Sequence, residues 1–216
     1  MHIEPGYISQ AKLVLANTSA LGVLAFYAKD LFVRPSDILR TLLAAVFFSL
    51  FMQGFHMNVG PSELHFVGAM AIYLTLGFIP TLFGFALGLL FQGLLFNPGD
   101  LVHLAVNSLS LILPLITVHF TLGRKLREAA QRTDWRAILK LDALYYAGVT
   151  TMVGFWLLAA DVATPFSAWV AFASSYLVLV AVEPLLTYSL VKLLKRHEGK
   201  PLVDACFAVK SLKMAD

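Results

Sequence analysis

Long apolar runs fix the class of this chain before any motif is considered. Hydrophobic residues make up 59% of its 216 residues and charged residues only 13%, against about 25% charged residues in a soluble domain. A helix that crosses the hydrocarbon core of a bilayer needs about 20 apolar residues. The sequence therefore predicts an integral membrane protein, with apolar runs at about 11–28, 41–57, 66–96, 101–122, 138–160 and 166–191.

The run 66–96 is too long for one straight span. Pro80 stands near its middle, and proline ends or kinks a helix at the preceding residue. We interpret the run as a hairpin of two helices, which brings the predicted count to seven. The fold class is thus an all-α membrane bundle in a single domain, 1–200, followed by a cytoplasmic tail, 201–216. Its predicted spans are 11–28, 41–57, 65–78, 80–96, 101–122, 138–160 and 166–191.

The basic residues predict the orientation. Lysine and arginine collect in cytoplasmic loops. With seven spans and the amino terminus outside, every one of the 16 basic residues except Lys12 falls on the inner side. The excess positive charge is therefore an orientation signal in the bilayer of the cytoplasmic membrane, and no nucleic-acid partner is expected. Residues 1–10 lack the basic start of a signal peptide, so Met1 is expected to remain the amino terminus.

The first two residues form a candidate metal chelate. The terminal amine of Met1, the backbone nitrogen of His2 and the His2 ring can close two fused chelate rings on one ion. These three donors lie roughly in one plane. A fourth nitrogen would complete a square, an arrangement typical of Ni(II) or Cu(II) rather than zinc.

Histidines also collect at the predicted outer face. His65 is the preferred fourth donor, because Ser62 can cap a helix that opens there and a capped helix start holds a ligand rigidly. His103 and Asn107 share one helix face, so Asn107 either orients a ligand ring by hydrogen bonding to it or merely joins two helices. The possible second-shell or transient ligands are His56, Glu63, His103 and Asn107.

Glu183, Gln53 and Gln92 are further polar residues inside the predicted spans. A carboxylate at the centre of a span costs about 2.5–3.5 kcal/mol on insertion scales. Glu183 is therefore either a transport residue or a group satisfied by a neighbouring helix. Gln53 and Gln92 are most simply explained as hydrogen-bond partners between helices.

Several short segments, in this order, resemble the CbiM/NikM family of substrate-specific membrane components in energy-coupling factor transporters for cobalt and nickel. The start of the chain is similar to the family's Met-His-Ile opening, and the later segments are similar to its loop histidine, Gln-Ala-Leu-Leu-Phe, Leu-Gly-Ala-Asn and Glu-Ala-Leu-Ile-Thr motifs. The segments that carry the resemblance are Met1–Tyr7, Met57–Gly68, Gln92–Phe96, Leu104–Asn107 and Glu183–Thr187.

The resemblance implies a transport component, not an enzyme, that holds its ion with Met1, His2 and His65. It also implies nickel or cobalt as cargo, with copper possible on affinity order, and no prosthetic group. A transmembrane coupling subunit and cytoplasmic ATPase subunits would be the partners. The predicted inner loops 29–40 and 123–140 are candidate contact surfaces for them.

Two other classes of function stay open from the sequence. One is a binding component for an organic vitamin, or a solitary secondary metal carrier in which Glu183 couples to protons. The other is an intramembrane metalloenzyme that uses His56, His65 and His103. Such an enzyme needs an open coordination position and a general base, and no His-Glu-x-x-His helix is present.

Overall fold

The computed structural model describes residues 7–59, 62–128 and 132–214, and it confirms the predicted all-α membrane bundle. Two short β-ladders accompany the helices. In chain order the elements are α1 (Gln10–Val33), α2 (Pro35–Gly54), β1 (His56–Val59), β2 (Ser62–His65), α3 (Ala69–Leu76), α4 (Phe78–Leu95), a 3₁₀ turn (Pro98–His103), α5 (Leu104–Val118), a π turn (His119–Gly123), α6 (Arg124–Arg127), β3 (Arg132–Thr133), α7 (Trp135–Ala159), α8 (Phe166–Arg196), α9 (Pro201–Cys206), a 3₁₀ turn (Val209–Ser211) and β4 (Lys213–Met214).

Six helical segments in the described part of the chain are long and apolar enough to cross a membrane. They are α1, α2, α4, the continuous segment Pro98–Arg127, α7 and α8. The remaining helix of the predicted seven, α3, has eight residues, or about 12 Å at 1.5 Å per residue, too short to cross alone. The outward surface is apolar, as lipid contact requires, with Leu158 91% exposed.

The apolar run 66–96 breaks as the sequence predicts, but its first helix starts later. The break lies at Gly77, whose φ of 109° suits a residue without Cβ, and Pro80 occupies the first turn of α4, where proline is tolerated. Residues 62–65 are not helical, because they pair with residues 56–59 in an antiparallel hairpin. The prediction that Ser62 caps a helix is therefore wrong, and α3 begins at Ala69.

We call the end of the bundle that carries this hairpin the outer end, following the orientation predicted from the basic residues. The opposite end, with Arg40 and Arg127, is the inner end. The predicted tail packs there: Val209 and Leu212 are buried, and the Ala208 N–H donates to the Thr75 carbonyl at 2.7 Å. This C-terminal segment therefore forms part of the bundle.

Helices α2 and α4 pack closely through small residues. A Cβ on Gly84 would collide with the Ala44 side chain, and a Cβ on Gly88 would collide with Phe48. Small residues four apart let two membrane helices approach closely. This contact holds α2, which leads into β1, against α4.

Gly84→Leu is expected to destabilise the bundle, because a larger side chain must push α2 away from α4. Overpacking of this kind costs about 1–3 kcal/mol. Gly22→Leu is the matched control, since a Cβ at Gly22 meets nothing within 4 Å. Thermal unfolding of both variants in one detergent measures the difference, and equal transition temperatures would contradict the role given to Gly84.

Candidate functional site

The hairpin at the outer end brings two histidines together. His56 lies directly opposite His65 in the β1–β2 register, and their rings are nearly parallel, with centroids 6.1 Å apart. His65 is only 5% exposed, whereas His56 is exposed. The Phe66 N–H donates to the Phe55 carbonyl at 3.1 Å, which extends the pairing beyond the strands.

Both rings line a polar cavity of about 350 Å³ between the hairpin, α2 and the outer end of α4. Gln53 Nε2 donates to Gln92 Oε1 at 2.9 Å, and Gln92 Nε2 donates to the Ser49 carbonyl at 2.7 Å. The predicted interhelical role of these two glutamines is therefore confirmed. The side chains that line the cavity belong to Met52, Gln53, His56, His65, Gln92, Phe96, Asn97 and Asp100.

Of the other predicted ligands, His103 and Asn107 do not line this cavity. His103 ends the 3₁₀ turn before α5 and Asn107 follows in the first turn of that helix. Both side chains are buried, to 1% and 2% exposure. Glu63 pairs with Asn58 in the hairpin register.

Met1 and His2 lie outside the described residues, and the described chain begins at Tyr7. The Tyr7 carbonyl accepts a hydrogen bond from the Asp161 N–H at 2.9 Å. Ile8 is buried in one cluster with Ala105 and Val106 of α5. The segment before α1 is thus held against the part of α5 that lies between His103 and Asn107.

Lys12, the one basic residue predicted on the outer side, is paired there. Its Nζ lies 2.6 Å from Asp161 Oδ1, and this hydrogen bond lowers the pKa of the Asp161 carboxyl. Because Asp161 follows the end of α7, the pair ties the start of α1 to the loop between α7 and α8. Both side chains are substantially exposed, so the pair positions the segment more than it stabilises the fold.

Glu183 caps the buried helix that follows His65. Its Oε1 accepts from the Met70 N–H at 3.3 Å and its carboxylate also accepts from the Ala69 N–H. The Tyr146 hydroxyl donates to Oε2. These contacts satisfy donors that the start of a helix leaves unpaired, and Gly68 before α3 has no side chain to do so. Glu183 is thus satisfied by neighbouring helices, one of the two roles predicted for it.

Sequence reasoning missed two residues of this arrangement. Asp142 is fully buried beside the Glu183 carboxyl, and no sequence motif singled it out. Arg127 donates to the Tyr73 and Leu74 carbonyls at 2.9 and 3.0 Å. In the sequence, Arg127 is only one of the basic residues that predict the orientation in the membrane. A carboxylate at the start and a guanidinium at the end of α3 both complement its dipole.

The described residues do not form a complete metal site by themselves. In the ranges 7–59, 62–128 and 132–214, no group of three or more His, Cys, Asp or Glu side chains is close enough to hold an ion. His56, His65 and His103 are therefore not arranged as a three-ligand centre in the part of the chain that the structure describes.

Comparisons with known proteins agree with this fold. The sequence matches the family described as cobalt uptake substrate-specific transmembrane region, CbiM, over residues 2–200. A solved transition metal transporter is 21% identical and superposes with a TM-score of 0.71, covering 90% of this chain and 94% of its own. A truncated transition metal transporter, also 21% identical, superposes with a TM-score of 0.73, covering 91% of this chain and 99% of its own. No curated protein sequence matches significantly.

Proposed function

Because the chain belongs to the CbiM family of cobalt uptake transmembrane regions, we propose that it captures a divalent transition-metal ion at the outer face and delivers it inward. A role as a component of a metal uptake transporter follows from the family. One observation supports the capture site: His65 is buried and lines a polar cavity at the outer end. It is the last residue of the hairpin and is followed closely by the buried helix α3.

The proposed ligands are the Met1 amine, the backbone nitrogen and ring of His2, and the His65 ring. Two observations support this set. The described residues alone provide too few donors, and the segment that starts at Tyr7 is docked at the outer end of α5. Five peptide units reach at most about 18 Å, and this is the span that the proposed site requires residues 2–7 to bridge.

Four nitrogen donors in a square favour Ni(II). Cu(II) also fits, because a given nitrogen site binds it most tightly among the divalent first-row metals, while the family points to Co(II). We propose nickel or cobalt as the cargo. Delivery inward is driven by partners: a transmembrane coupling subunit and cytoplasmic ATPase subunits that contact the inner loops in the cytoplasmic membrane. The chain itself then performs no ATP hydrolysis. The family match favours a metal over an organic vitamin.

His65→Ala tests the proposed function directly. The purified protein that begins at Met1 is titrated with Ni(II), Co(II), Cu(II) and Zn(II) in separate experiments, and isothermal calorimetry measures each affinity. We expect one ion per chain for the native protein and an affinity about 10- to 100-fold lower for the variant, as for other losses around a metal site.

The matched control is His197→Ala, which changes a histidine at the inner end whose Nδ1 lies 3.0 Å from the Leu193 carbonyl oxygen. It should bind as the native protein does. Native protein that binds none of the four ions would overturn the proposed function. Equal affinities of native protein and His65→Ala would remove His65 from the ligand set.

A further inference from the structure

The exposed partner of His65 in the hairpin has no role in the ligand set above. We propose that His56 is a capture ligand: it binds the incoming ion first and passes it across the hairpin to His65. This inference rests on the proposed function, and it adds a step that the final four-donor site does not require.

The hairpin register supports the transfer. Directly opposite residues of an antiparallel pair project to the same face, and His56 and His65 are such a pair. Their ring centroids are 6.1 Å apart. With a metal–nitrogen bond of about 2.0–2.1 Å, two rings that share one ion have centroids up to roughly 6 Å apart. The transfer thus needs side-chain rotation and no displacement of the strands.

The difference in exposure sets the order in which an incoming ion meets the two rings. His56 is exposed at the mouth of the cavity, whereas His65 is 5% exposed. An ion that arrives from the outside meets His56 first. An exposed side chain changes rotamer within picoseconds to nanoseconds, so the His56 ring can turn from solvent towards the cavity faster than an ion dissociates.

The chemistry makes this first site weak, as a relay requires. Imidazole suits nickel, copper and zinc as a ligand, but His56 and His65 supply only two rings. No third His, Cys, Asp or Glu side chain joins them closely enough to hold an ion within the part of the chain that the structure describes. Water fills the remaining positions, so the ion leaves readily for the site with more nitrogen donors.

Stopped-flow mixing of Ni(II) with the native protein and with His56→Gln tests this role. A relay speeds passage in both directions. We therefore expect the association and dissociation rate constants to fall together, by about tenfold, the lower end of what groups around a metal site contribute. The dissociation constant should change by less than about threefold. His56→Ala is the second variant, and His197→Gln is the matched control.

The outcomes separate this inference from the proposed function. If His56→Gln keeps the native association rate while His65→Ala loses affinity, His56 is not a capture ligand and the proposed function stands. If the dissociation constant rises tenfold with an unchanged association rate, His56 is a ligand of the final site and the relay is wrong. Native protein that binds no Ni(II) overturns both. Unchanged thermal unfolding of His56→Gln verifies that the variant is folded.

Discussion

Adding three residues before Met1 is expected to lower the affinity for Ni(II) by more than about 100-fold, beyond the effect of supporting groups around a metal site. The extension moves the terminal amine away from the His2 ring, so the two fused chelate rings cannot close on one ion. The His2 backbone nitrogen then lacks the neighbouring amine that anchors the ion, so the two imidazole rings are the main donors left. Three residues are used instead of one, because a histidine in third position can again form fused chelate rings with the new amine.

The control carries the same three residues after Asp216, which leaves the amino terminus free. Acetylation of the terminal amine tests the same chelate in a second way, because it removes the charge of the amine and its lone pair as a metal donor. Calorimetry gives the affinity, and the visible absorption of bound Ni(II) shows whether a square arrangement forms. An extended or acetylated protein that binds as tightly as the native one would show that the proposed chelate is wrong.

The sequence predicted those parts of the fold that depend on hydrophobic runs and on proline. The break in the run 66–96 and the pairing of Gln53 with Gln92 are examples, since a long apolar run must turn and a polar side chain in a span must find a partner. The orientation and the count of seven spans stay predictions. His65 stays a predicted ligand, and the helix cap at Ser62 that favoured it does not exist.

The remaining features could not be predicted because they depend on contacts between distant segments. The hairpin of residues 56–59 with 62–65 has no strong alternation of polar and apolar residues to indicate strands. The buried position of Asp142 depends on helix α8, and that of Leu212 depends on the inner end of the bundle. Neither residue carries a local signal of burial.

Those distant contacts meet at α3, which links the outer cavity to the inner end. His65 lies four residues before Ala69, so whatever holds the start of α3 also fixes the His65 backbone. Glu183 holds that start from helix α8, and Arg127 holds the other end of α3. A metal ligand must be kept within about 0.5 Å of its productive position. We therefore expect the contacts of Glu183 with the start of α3 to position His65 as well.

Glu183→Ala is expected to cost about 3 kcal/mol of unfolding free energy, because it leaves two buried backbone N–H groups and the Tyr146 hydroxyl without their acceptor. In a chain of this size the transition temperature should fall by roughly 6–12 °C. Glu183→Gln retains one acceptor oxygen and should lose much less. Glu128→Ala is the control, since it removes an exposed carboxylate whose partner is Arg124.

Thermal unfolding and metal titration of the same three variants separate the two roles that the sequence left open for Glu183. If the carboxylate caps α3, stability and metal affinity fall together in Glu183→Ala and both largely recover in Glu183→Gln. If Glu183 instead couples transport to protons, Glu183→Gln is stable and binds metal but loses uptake, because an amide cannot exchange a proton as a carboxylate does. Native stability of Glu183→Ala would contradict the capping role.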